Sequence, residues 1–273
     1  MPPRPTGDPA VVGLDGVLER AAAAGQVLVD DPAAPVLAAA DAHHLSRVLR
    51  LRPGEVVVAT DGRGHWCRCR YRGPGGRTEA TGGRGDRGAD AAVDGVLEPD
   101  GPVRFEPAPA PALTVAFAPV KGDRPEWVVQ KLTELGVDRI VPLTTARSVV
   151  RWDGGRAGRA VDRLRRVATE ALGQCRRVWL PEVTDPCDLA ALGTRLDLGP
   201  GKLALAALGG ERPTATITTV AIGPEGGWSP DELAAAPTTV GLGPLVLRAE
   251  TAAVAAGAIL TGLRAGTVGE GTP

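Results

Sequence analysis

The sequence has few aromatic residues and almost no lysine. Aromatic side chains account for 3% of the 273 residues, so the core must be built mainly from Val, Leu, Ile and Ala. Lysine occurs only three times among the 31 basic residues, and all the others are arginines. The hydrophobic content of 43% and the charged content of 23% are ordinary for a globular protein. The chain is long enough for one large domain or two smaller ones.

Motifs of several common enzyme and metal sites are also absent. None of the four cysteines forms a C-x-x-C pair, which excludes the usual structural zinc arrangements. There is no G-x-x-x-x-G-K-[ST] loop, no G-x-G-x-x-G after a predicted strand and no G-x-S-x-G motif. The three histidines lie between residues 43 and 65, too far along the chain from the second half to serve a catalytic triad there. Hydrolase and kinase functions are thereby excluded, and no metal is expected.

Long apolar runs are missing as well. No uninterrupted apolar stretch reaches the ~20 residues that a transmembrane helix needs. The N-terminus lacks the basic and then apolar pattern of a signal peptide. We therefore expect a cytoplasmic protein with free thiols.

Arginines are concentrated in two segments, residues 43–77 and 147–177. Each segment carries a net charge of +6, whereas the whole chain carries −1, so the remaining residues sum to −13. Two basic segments in a nearly neutral protein are typical of a protein that contacts a polyanion. Two solvated surfaces without a partner are the alternative.

The first part of the chain, residues 27–98, has the pattern of a small β-domain. Alternating residues and turn signals predict a strand, a short helix and then a β-hairpin. These elements are expected at 26–29, 42–51, 55–59 and 65–72. Residues 1–26 show no clear pattern and are expected to form a loose N-terminal extension.

The last predicted strand of this domain, 65–72, has two different faces. Cys67, Cys69 and Tyr71 alternate with three arginines. Because successive side chains of a strand point to opposite faces, one face is apolar and the other is lined with arginine. We expect the arginines to form an outer face of the domain.

Two irregular segments follow. Residues 73–90 are rich in Gly and Arg and are expected to form a long flexible loop. Residues 99–111 contain five prolines, which suits a stiff linker between domains. We place the domain boundary in this linker, so that the second domain covers residues 112–273.

The second domain alternates between predicted strands and predicted helices. Such alternation indicates an α/β fold with an at least partly parallel sheet. Two helices have the spacing of a capping box at their start, Asp123 with Glu126 and Ser229 with Glu232. The strands are expected at 113–118, 139–143, 203–208, 218–223 and 238–242, and the helices after Asp123, at 161–173, after Ser229 and at 245–263.

Three glycine-containing loops follow predicted strands of this domain. They are Gly209–Gly210, Gly223–Gly227 and Gly241–Pro244. Ligands of parallel α/β sheets bind outside the carboxyl ends of the strands, and glycine lets the backbone itself approach a ligand. The residues therefore indicate a glycine-walled pocket. Ordinary turns in a Gly-rich chain are the alternative.

A series of short motifs runs through the chain in a fixed order. They are His43-His44-Leu45, Val48-Leu49-Arg50, Pro53-Gly54, Lys121-Gly122-Asp123, Glu126, Gln130-Lys131, Glu134-Leu135-Gly136-Val137, Pro142, Arg147-Ser148, Gln174-Cys175-Arg176-Arg177, Pro181-Glu182, Ile222-Gly223-Pro224-Glu225-Gly226-Gly227, Glu232, Leu242-Gly243-Pro244 and Leu247-Arg248-Ala249-Glu250-Thr251-Ala252. Their order and spacing resemble the bacterial 16S rRNA (uracil-N3)-methyltransferase family of the SPOUT superfamily. The resemblance extends from about residue 27 to the end of the chain.

The resemblance implies a fold that residue patterns alone could not predict. It implies a small PUA-like β-barrel domain, followed by an α/β SPOUT methyltransferase domain with a deep trefoil knot, a rare topology. It also implies S-adenosylmethionine as the cofactor, S-adenosylhomocysteine as its product, no metal, and methylation of a uridine at N3. The implied partners are 16S rRNA or the small ribosomal subunit and a second copy of the chain, and no membrane.

Four residues are candidates for the chemistry. Uridine N3 is a poor nucleophile until its proton leaves, so the site needs a proton acceptor and positive groups near the uridinate. Arg248 and Arg147 are the candidates for the positive groups. Glu225 and Glu250 are the candidates for the acceptor.

The remaining candidates would bind the cofactor and the RNA. We expect the turns Gly223–Gly227 and Leu242–Leu247 to meet in one slot for the cofactor's adenosine, rimmed by arginines. The cofactor-binding candidates are Leu208, Ile222, Gly223, Pro224, Gly226, Gly227, Leu242, Gly243, Pro244 and Leu247. The RNA-binding candidates are Arg47, Arg50, Arg68, Arg70, Lys121, Arg124, Arg151, Arg176 and Arg177.

The sequence departs from the family pattern at three places. Leu245 stands where the family commonly has Arg, and Gly173 stands where an acidic residue is frequent. The N-terminal strand has Val27-Leu28-Val29 where aromatic residues are usual. These departures concern RNA contact more than family membership.

Three other functions remain as alternatives. Another SPOUT enzyme could methylate a ribose 2′-hydroxyl instead of a base. A non-catalytic RNA-binding ribosome-assembly factor could retain the fold without turnover. A small-molecule α/β enzyme is the third, and the two basic segments argue against it.

Overall fold

The computed structural model describes residues 14–73, 95–150, 152, 154–199, 201–236 and 238–269. The chain consists of two compact units. Unit 1 comprises Met1–Ala108 and Gly173–Trp179, and unit 2 comprises Pro109–Leu172 and Leu180–Pro273. Most of the loop predicted at 73–90 lies outside the described residues.

Unit 1 is built on a five-stranded sheet. Its strands are β1 (Gly25–Leu28), β2 (Val56–Thr60), β3 (His65–Tyr71), β4 (Leu97–Pro99) and β5 (Arg104–Phe105). The first four are adjacent in this order, and β5 pairs with β3. The β1–β2 pair is parallel and the others are antiparallel. Helices α1 (Leu14–Ala21) and α2 (Ala39–His43) accompany the sheet, and α2 continues into one π-helical turn, His44–Val48.

The alternation predicted for β3 is confirmed. Cys67, Cys69 and Tyr71 are fully buried on one face and pack with the core of unit 1. Trp66, on the opposite face, is also fully buried. Its ring lies between two guanidinium groups, 5.1 Å from that of Arg20 and 5.0 Å from that of Arg104. Cation–π contacts of this kind stabilise a buried indole.

Helix α1 and strand β1 differ from the loose extension that we expected up to residue 26. The side chain that attaches α1 is Arg20, which is only 4% exposed. Its guanidinium forms an ion pair with Glu106, and its Nε donates to the carbonyl oxygen of Arg176 over 3.0 Å. Leu14, Val17, Leu18 and Ala21 have helical spacing. Val17 and Leu18 are nevertheless 46% and 61% exposed, so the buried contact of α1 is made by Arg20.

Unit 2 contains a parallel sheet of seven strands. They are β6 (Thr114–Phe117), β7 (Arg139–Thr144), β8 (Glu182–Val183), β9 (Cys187–Asp188), β10 (Leu203–Glu211), β11 (Thr219–Ile222) and β12 (Thr239–Val240). The order across the sheet is β12-β10-β11-β6-β7-β8, and β9 also pairs with β7. Every pairing is parallel, as the alternation of strands and helices predicted.

Five helices accompany this sheet within the described residues. They are α3 (Arg124–Leu135), α4 (Gly154–Cys175), α5 (Leu189–Arg195), α6 (Pro230–Ala235) and α7 (Ala249–Ala265). Helix α7 packs closely on α3, because a Cβ atom at Gly257 would lie only 2.6 Å from Leu132 Cδ2. Small residues on α7 thus allow its backbone to approach the core of unit 2.

One of the two predicted capping boxes is confirmed. Ser229 Oγ accepts a hydrogen bond from the Glu232 N–H, and a Glu232 carboxylate oxygen accepts one from the Ser229 N–H. Asp123 is the N-cap residue of α3, as predicted, but its side chain makes no capping bond, so the predicted capping box is not formed. Glu126 instead pairs with Arg163, with 2.8 Å between Oε1 and Nε. This ion pair withdraws the carboxylate from the helix start.

Strand β10 corrects a second prediction. Gly209–Gly210 does not form a loop after the strand but continues it to Glu211. The register is irregular there, since both Ala206 and Glu211 align with Val240 of β12. Gly210 lies directly against β12, because a Cβ atom on it would be 2.5 Å from the Val240 carbonyl carbon. The absence of a side chain at Gly210 therefore allows β10 and β12 to lie this close together.

Candidate functional site

The candidate site follows the carboxyl edge of the sheet in unit 2. Two cavities open there. The first, the β10–β12 cavity, has a volume of about 140 Å³, and the second, the β6–β11 cavity, has a volume of about 350 Å³. The second volume is in the range of ligand pockets, and the first is smaller. Since ligands of parallel α/β sheets bind at this edge, both cavities are candidate binding sites.

The β10–β12 cavity contains four of the predicted cofactor-binding residues. Leu208 lies on β10, and Leu242, Gly243 and Leu247 follow β12. Pro244 lies beside the same cavity, in an adjoining open depression. The complete lining is Ala206, Ala207, Leu208, Leu242, Gly243, Leu245, Val246, Leu247 and Ala252.

The rim of the β10–β12 cavity is apolar and exposed. The side chains of Leu208, Leu245 and Val246 are 65%, 74% and 84% exposed. Such side chains suit contact with the flat faces of an adenine ring or with another apolar surface. The position of Leu245 shows that this departure from the family pattern makes the rim more apolar.

The Gly223–Gly227 turn does not line the β10–β12 cavity. Strand β10 stands between β11, which precedes this turn, and β12. Pro224 and Glu225 line the β6–β11 cavity instead. Ile222 is buried in the core, and its carbonyl oxygen accepts from the Ala118 N–H over 2.9 Å. The turns Gly223–Gly227 and Leu242–Leu247 were expected to form one slot, but they line two different cavities.

Trp228 connects the turn to the wall of the β10–β12 cavity. Its Nε1 donates to the carbonyl oxygen of Ala206 over 3.0 Å. Its ring covers Gly223, where a Cβ atom would lie 3.0 Å from the indole. Gly227, with φ +69°, closes the turn by donating from its N–H to the Pro224 carbonyl oxygen over 2.8 Å. Gly223 thus allows the Trp228 ring to pack on the turn, and Gly227 adopts the positive φ that the turn requires.

Arg147 lies in the loop after β7 and contacts the same turn. Its Nη1 donates to the carbonyl oxygen of Gly226 over 2.8 Å. The loop itself is closed by Ser148, whose Oγ accepts from the Thr145 N–H over 3.0 Å. Arg147 is thus held at the carboxyl edge of the sheet, as a catalytic candidate should be.

Glu232 fixes the loop that carries Arg147. One carboxylate oxygen accepts from the Ala146 N–H over 2.9 Å, and the other accepts from the Ser229 N–H over 2.8 Å. Burial on its own would raise the pKa of Glu232, but the bonds to Ser229 and Ala146 and the nearby Arg147 charge lower it below its usual value. Sequence reasoning placed Glu232 in the capping box and in the motif series, but did not predict its contact with Ala146.

Glu250, a candidate proton acceptor, forms an ion pair with Arg124. Its Oε1 lies 3.2 Å from Arg124 Nη1, and its side chain is only 11% exposed. The Oε2 atom is buried without a hydrogen-bond partner. Arg248, at the start of α7, is exposed and makes no ion pair within the described residues. Glu225 is exposed at the β6–β11 cavity.

The RNA-binding candidates differ in how exposed their side chains are and in whether they pair with other groups of the protein. Arg68 and Arg70 both pair with Asp100, over 3.3 and 2.9 Å. Arg176, partly buried, donates to the carbonyl oxygens of Gly173 and Ala23 over 2.7 and 3.1 Å, and burial lowers its pKa. These three arginines hold unit 1 together.

The other basic candidates are exposed or lie elsewhere. Arg47 and Arg50 are exposed in and after the π-helical turn of unit 1. Lys121 and Arg124 line the β6–β11 cavity of unit 2. Arg177 is half-buried, and its carbonyl oxygen accepts from Gln26 Nε2 over 2.7 Å. Arg151 lies outside the described residues.

No helix in the described part of the chain is both long and apolar enough to cross a membrane.

Comparison with known families identifies the class of protein. A family described as RNA methyltransferase domain matches residues 106–261, and one described as RNA methyltransferase PUA domain matches residues 37–81. The first match covers more than half of the chain. The protein is thus an RNA methyltransferase with an α/β methyltransferase fold and a PUA domain.

Individual relatives define the family more closely. The chain is 34% identical to ribosomal RNA small subunit methyltransferase E of Mycobacterium bovis over 247 residues, covering 85% of this chain and 88% of the relative. It is 28% identical to the protein of the same name from Bacillus subtilis, covering 78% of this chain and 83% of the relative. The chain belongs to the ribosomal RNA small subunit methyltransferase E family.

Solved structures show the same fold. A methyltransferase from Legionella pneumophila in complex with S-adenosylmethionine has a TM-score of 0.66 at 24% identity, covering 86% of this chain and 96% of that one. Ribosomal RNA small subunit methyltransferase E from Neisseria gonorrhoeae, bound to S-adenosylmethionine, has a TM-score of 0.63 at 23% identity, covering 88% and 97%.

Proposed function

We propose that this protein transfers a methyl group from S-adenosylmethionine to N3 of a uridine in 16S ribosomal RNA. The observation that carries the proposal is its membership of the ribosomal RNA small subunit methyltransferase E family over 85% of the chain. The carboxyl-edge cavities of unit 2 provide a place for such a reaction. The rRNA, free or in the small subunit, and a cytoplasmic location follow from the same proposal.

The β10–β12 cavity fits the adenosine part of the cofactor by the chemistry of its walls. The cavity, with a volume of about 140 Å³, adjoins the open depression that contains Pro244 and shares Leu208, Leu242 and Gly243 with it. Leu208, Leu242 and Leu247 would contact the adenosine, and backbone groups around Gly243 would hydrogen-bond the adenine edge. S-adenosylmethionine, when bound, supplies a methyl group on a positively charged sulfur and needs no metal to activate it.

The chain's own residues would prepare the uridine. Arg147 and Arg248 would place positive charge near the uridine carbonyl oxygens, where negative charge grows as the N3 proton leaves. Positioning the base against the methyl group would supply much of the remaining rate enhancement. Glu225, exposed at the β6–β11 cavity, is better placed to accept a proton than Glu250, which is paired with Arg124.

The proposal includes three further features. The sheet of unit 1 would belong to a PUA-like β-barrel, and the segment around β12 and α7 would form a deep trefoil knot. Two copies of the chain would form a homodimer. The exposed Leu245 and Val246 on the rim of the β10–β12 cavity support a partner surface there, since exposed apolar patches often mark interfaces.

Primer extension tests the function directly. Ribosomal RNA from cells lacking this protein should lose one stop at a uridine, because an N3-methyl group blocks base pairing. Purified protein with S-adenosylmethionine should restore the stop. Mass spectrometry of the digested RNA should place the methyl on the base. A methyl on the ribose would instead support the 2′-O alternative, and no transfer at all would support a non-catalytic assembly factor.

A further inference from the structure

The β6–β11 cavity contains polar groups that the fold of unit 2 leaves unused. It is lined by Pro119, Val120, Lys121, Arg124, Val149, Val150, Pro224 and Glu225. Neither Lys121 nor Glu225 makes a side-chain hydrogen bond or ion pair within the described residues. Arg124 makes one contact, through Nη1 to Glu250, which leaves its other N–H groups available. The cavity thus combines three charged side chains with walls of Val and Pro.

This composition suits a flat heterocycle with polar edges. Val120, Val149, Val150 and the two prolines can contact the faces of a ring, and Val149 is 70% exposed and unpacked. Lysine and arginine offer only hydrogen-bond donors, and a carboxylate offers only acceptors. A ligand that fits must therefore present two acceptors and one donor.

Uracil presents this pattern. Its pairing edge carries the O4 acceptor, the N3–H donor and the O2 acceptor, whereas cytosine carries a donor at N4 and acceptors at N3 and O2. A base removed from its stack is read by hydrogen bonds to this edge. We propose that the β6–β11 cavity binds the target uracil, with Lys121 and Arg124 donating to its carbonyl oxygens and Glu225 accepting from N3–H.

The position of Arg124 supports this assignment. Its guanidinium is fixed by Glu250, whose side chain is 11% exposed, over 3.2 Å. Arg124 also begins helix α3, so the partial positive charge of the helix start adds to its own. Both would stabilise the uracil as it becomes an anion. Glu250 is in this view a positioning residue for Arg124.

The cavity is close enough to the cofactor site for a transfer reaction. It lies at the ends of β6 and β11, and the β10–β12 cavity begins on the next strand, β10. With a strand spacing of about 4.8 Å, β6 and β10 are roughly 10 Å apart. A ribonucleotide and an extended cofactor can span this distance.

The inference rests on the proposed function, and matched variants of the full-length protein test it. Glu225→Gln keeps the size of the side chain but adds donors, and Lys121→Met removes a donor. Glu170→Gln, on exposed α4 surface, and Lys202→Met, at the start of β10, are the controls. The substrate is an rRNA transcript carrying either uridine or cytidine at the modified position.

Two measurements distinguish binding of the base from a structural role. Wild-type protein should bind the uridine RNA about tenfold more tightly than the cytidine RNA, because the pairing edge of cytosine mismatches the donors and the acceptor of the cavity. Glu225→Gln and Lys121→Met should abolish this preference. Glu225→Gln should also lower the single-turnover rate about 10²- to 10⁴-fold, while S-adenosylmethionine affinity, measured by calorimetry, changes less than twofold.

The pH dependence gives a third measurement. Without an acceptor, the rate of Glu225→Gln should rise about tenfold per pH unit between pH 6 and 8, because only uridine already deprotonated by water would react. If wild type methylates the RNA but both variants retain its rate, its pH profile and its uridine preference, the cavity does not bind the base. If wild type transfers no methyl group to any rRNA, the proposed function itself is wrong.

Discussion

Arg147 donates from Nη1 to the carbonyl oxygen of Gly226 over 2.8 Å, and the glycine faces the arginine without a side chain of its own. A Cβ atom at Gly226 would lie 3.3 Å from Arg147 Cβ. This contact joins the loop after β7 to the turn after β11. Because that turn carries Pro224 and Glu225 into the β6–β11 cavity, the position of Arg147 determines the shape of the cavity wall.

The first prediction concerns this contact. Arg147→Lys keeps the charge but replaces a planar guanidinium, whose donors lie on three nitrogens, by a single ammonium nitrogen, which cannot reach both Gly226 and a uridine in the same geometry. We expect a loss of at least about tenfold in single-turnover methylation. The melting temperature should stay within about 1 °C, because the side chain is exposed.

Arg166→Lys is the matched control, since Arg166 is exposed on α4 and has no ion pair within the described residues. It should retain wild-type activity. Equal activity of Arg147→Lys and Arg166→Lys would show that a positive charge at residue 147 is sufficient and that the guanidinium geometry is unimportant.

The second prediction concerns the pH dependence of stability. The folded-state pKa of Glu232 is lowered, so its carboxylate stabilises the fold fully above its unfolded value of 4.5. This contribution is lost as the pH falls through the lowered folded value. Thermal unfolding of wild type and Glu232→Gln should therefore differ by a constant amount above about pH 5 and converge as the pH falls through the lowered folded pKa of Glu232.

Asp231→Asn serves as the control for Glu232→Gln, because Asp231 is the exposed neighbour on α6. Its melting temperature should follow wild type more closely at every pH. A difference between wild type and Glu232→Gln that persists unchanged at pH 3 would contradict the role of the ionised carboxylate.

The third prediction concerns the close approach of β10 and β12. A Cβ atom at Gly210 would lie 2.5 Å from the Val240 carbonyl carbon, so Gly210→Ala must separate the strands. We expect a loss of about 1–3 kcal/mol in the free energy of unfolding. Binding of S-adenosylmethionine should also weaken, because Leu208 and Leu242 of the β10–β12 cavity lie on these two segments.

Gly193→Ala is a control for which we expect the opposite change in the free energy of unfolding. Gly193 lies inside helix α5, and a Cβ atom there has no neighbour within 4 Å. The substitution should raise stability by about 0.5–1 kcal/mol through helix propensity. Chemical denaturation of both variants, with calorimetric titration of the cofactor, checks both expectations. Unchanged cofactor affinity in Gly210→Ala would place the cofactor elsewhere.

Local patterns predicted much of the fold because local physics determines it. The alternation in β3 follows from the pleat of a strand, and the Ser229 capping box follows from the unpaired N–H groups of a helix start. The order of strands and helices in unit 2 was likewise predictable from its alternating pattern. Short strands such as β8 and β9, of two residues each, have no periodicity to detect.

Features that depend on distant partners were not predictable. Helix α1 is held by Arg20 through Glu106, 86 residues away, and Arg124 pairs with Glu250 at the start of another helix. The same limit applies to the site. The motif with Gly223–Gly227 indicated the carboxyl edge, but only the strand order shows that β10 separates this turn from Leu242–Leu247.

The last prediction concerns RNA binding by unit 1. Arg47 and Arg50 are exposed and make no ion pair within the described residues, whereas Arg68 and Arg70 both pair with Asp100. Each arginine that neutralises a phosphate adds about 0.7 to 0.9 to the salt slope of binding. The double change to Ala at residues 47 and 50 should therefore reduce the slope by about 1.5 and weaken binding of all RNA sequences alike.

The double change to Ala at Arg68 and Arg70 is the matched control, because it also removes two arginines from the first basic segment. Arg68 pairs with Glu19 and Asp100, and Arg70 pairs with Asp100, so two carboxylates already compensate the two charges and the salt slope should change by less than about 0.5. Fluorescence anisotropy with labelled rRNA between 50 and 200 mM salt measures both slopes. The double change at Arg68 and Arg70 could instead lower the salt slope as much as the double change at Arg47 and Arg50. That result would show that the ion pairs with Asp100 open when RNA binds and that the arginine-lined face of β3 contacts the RNA.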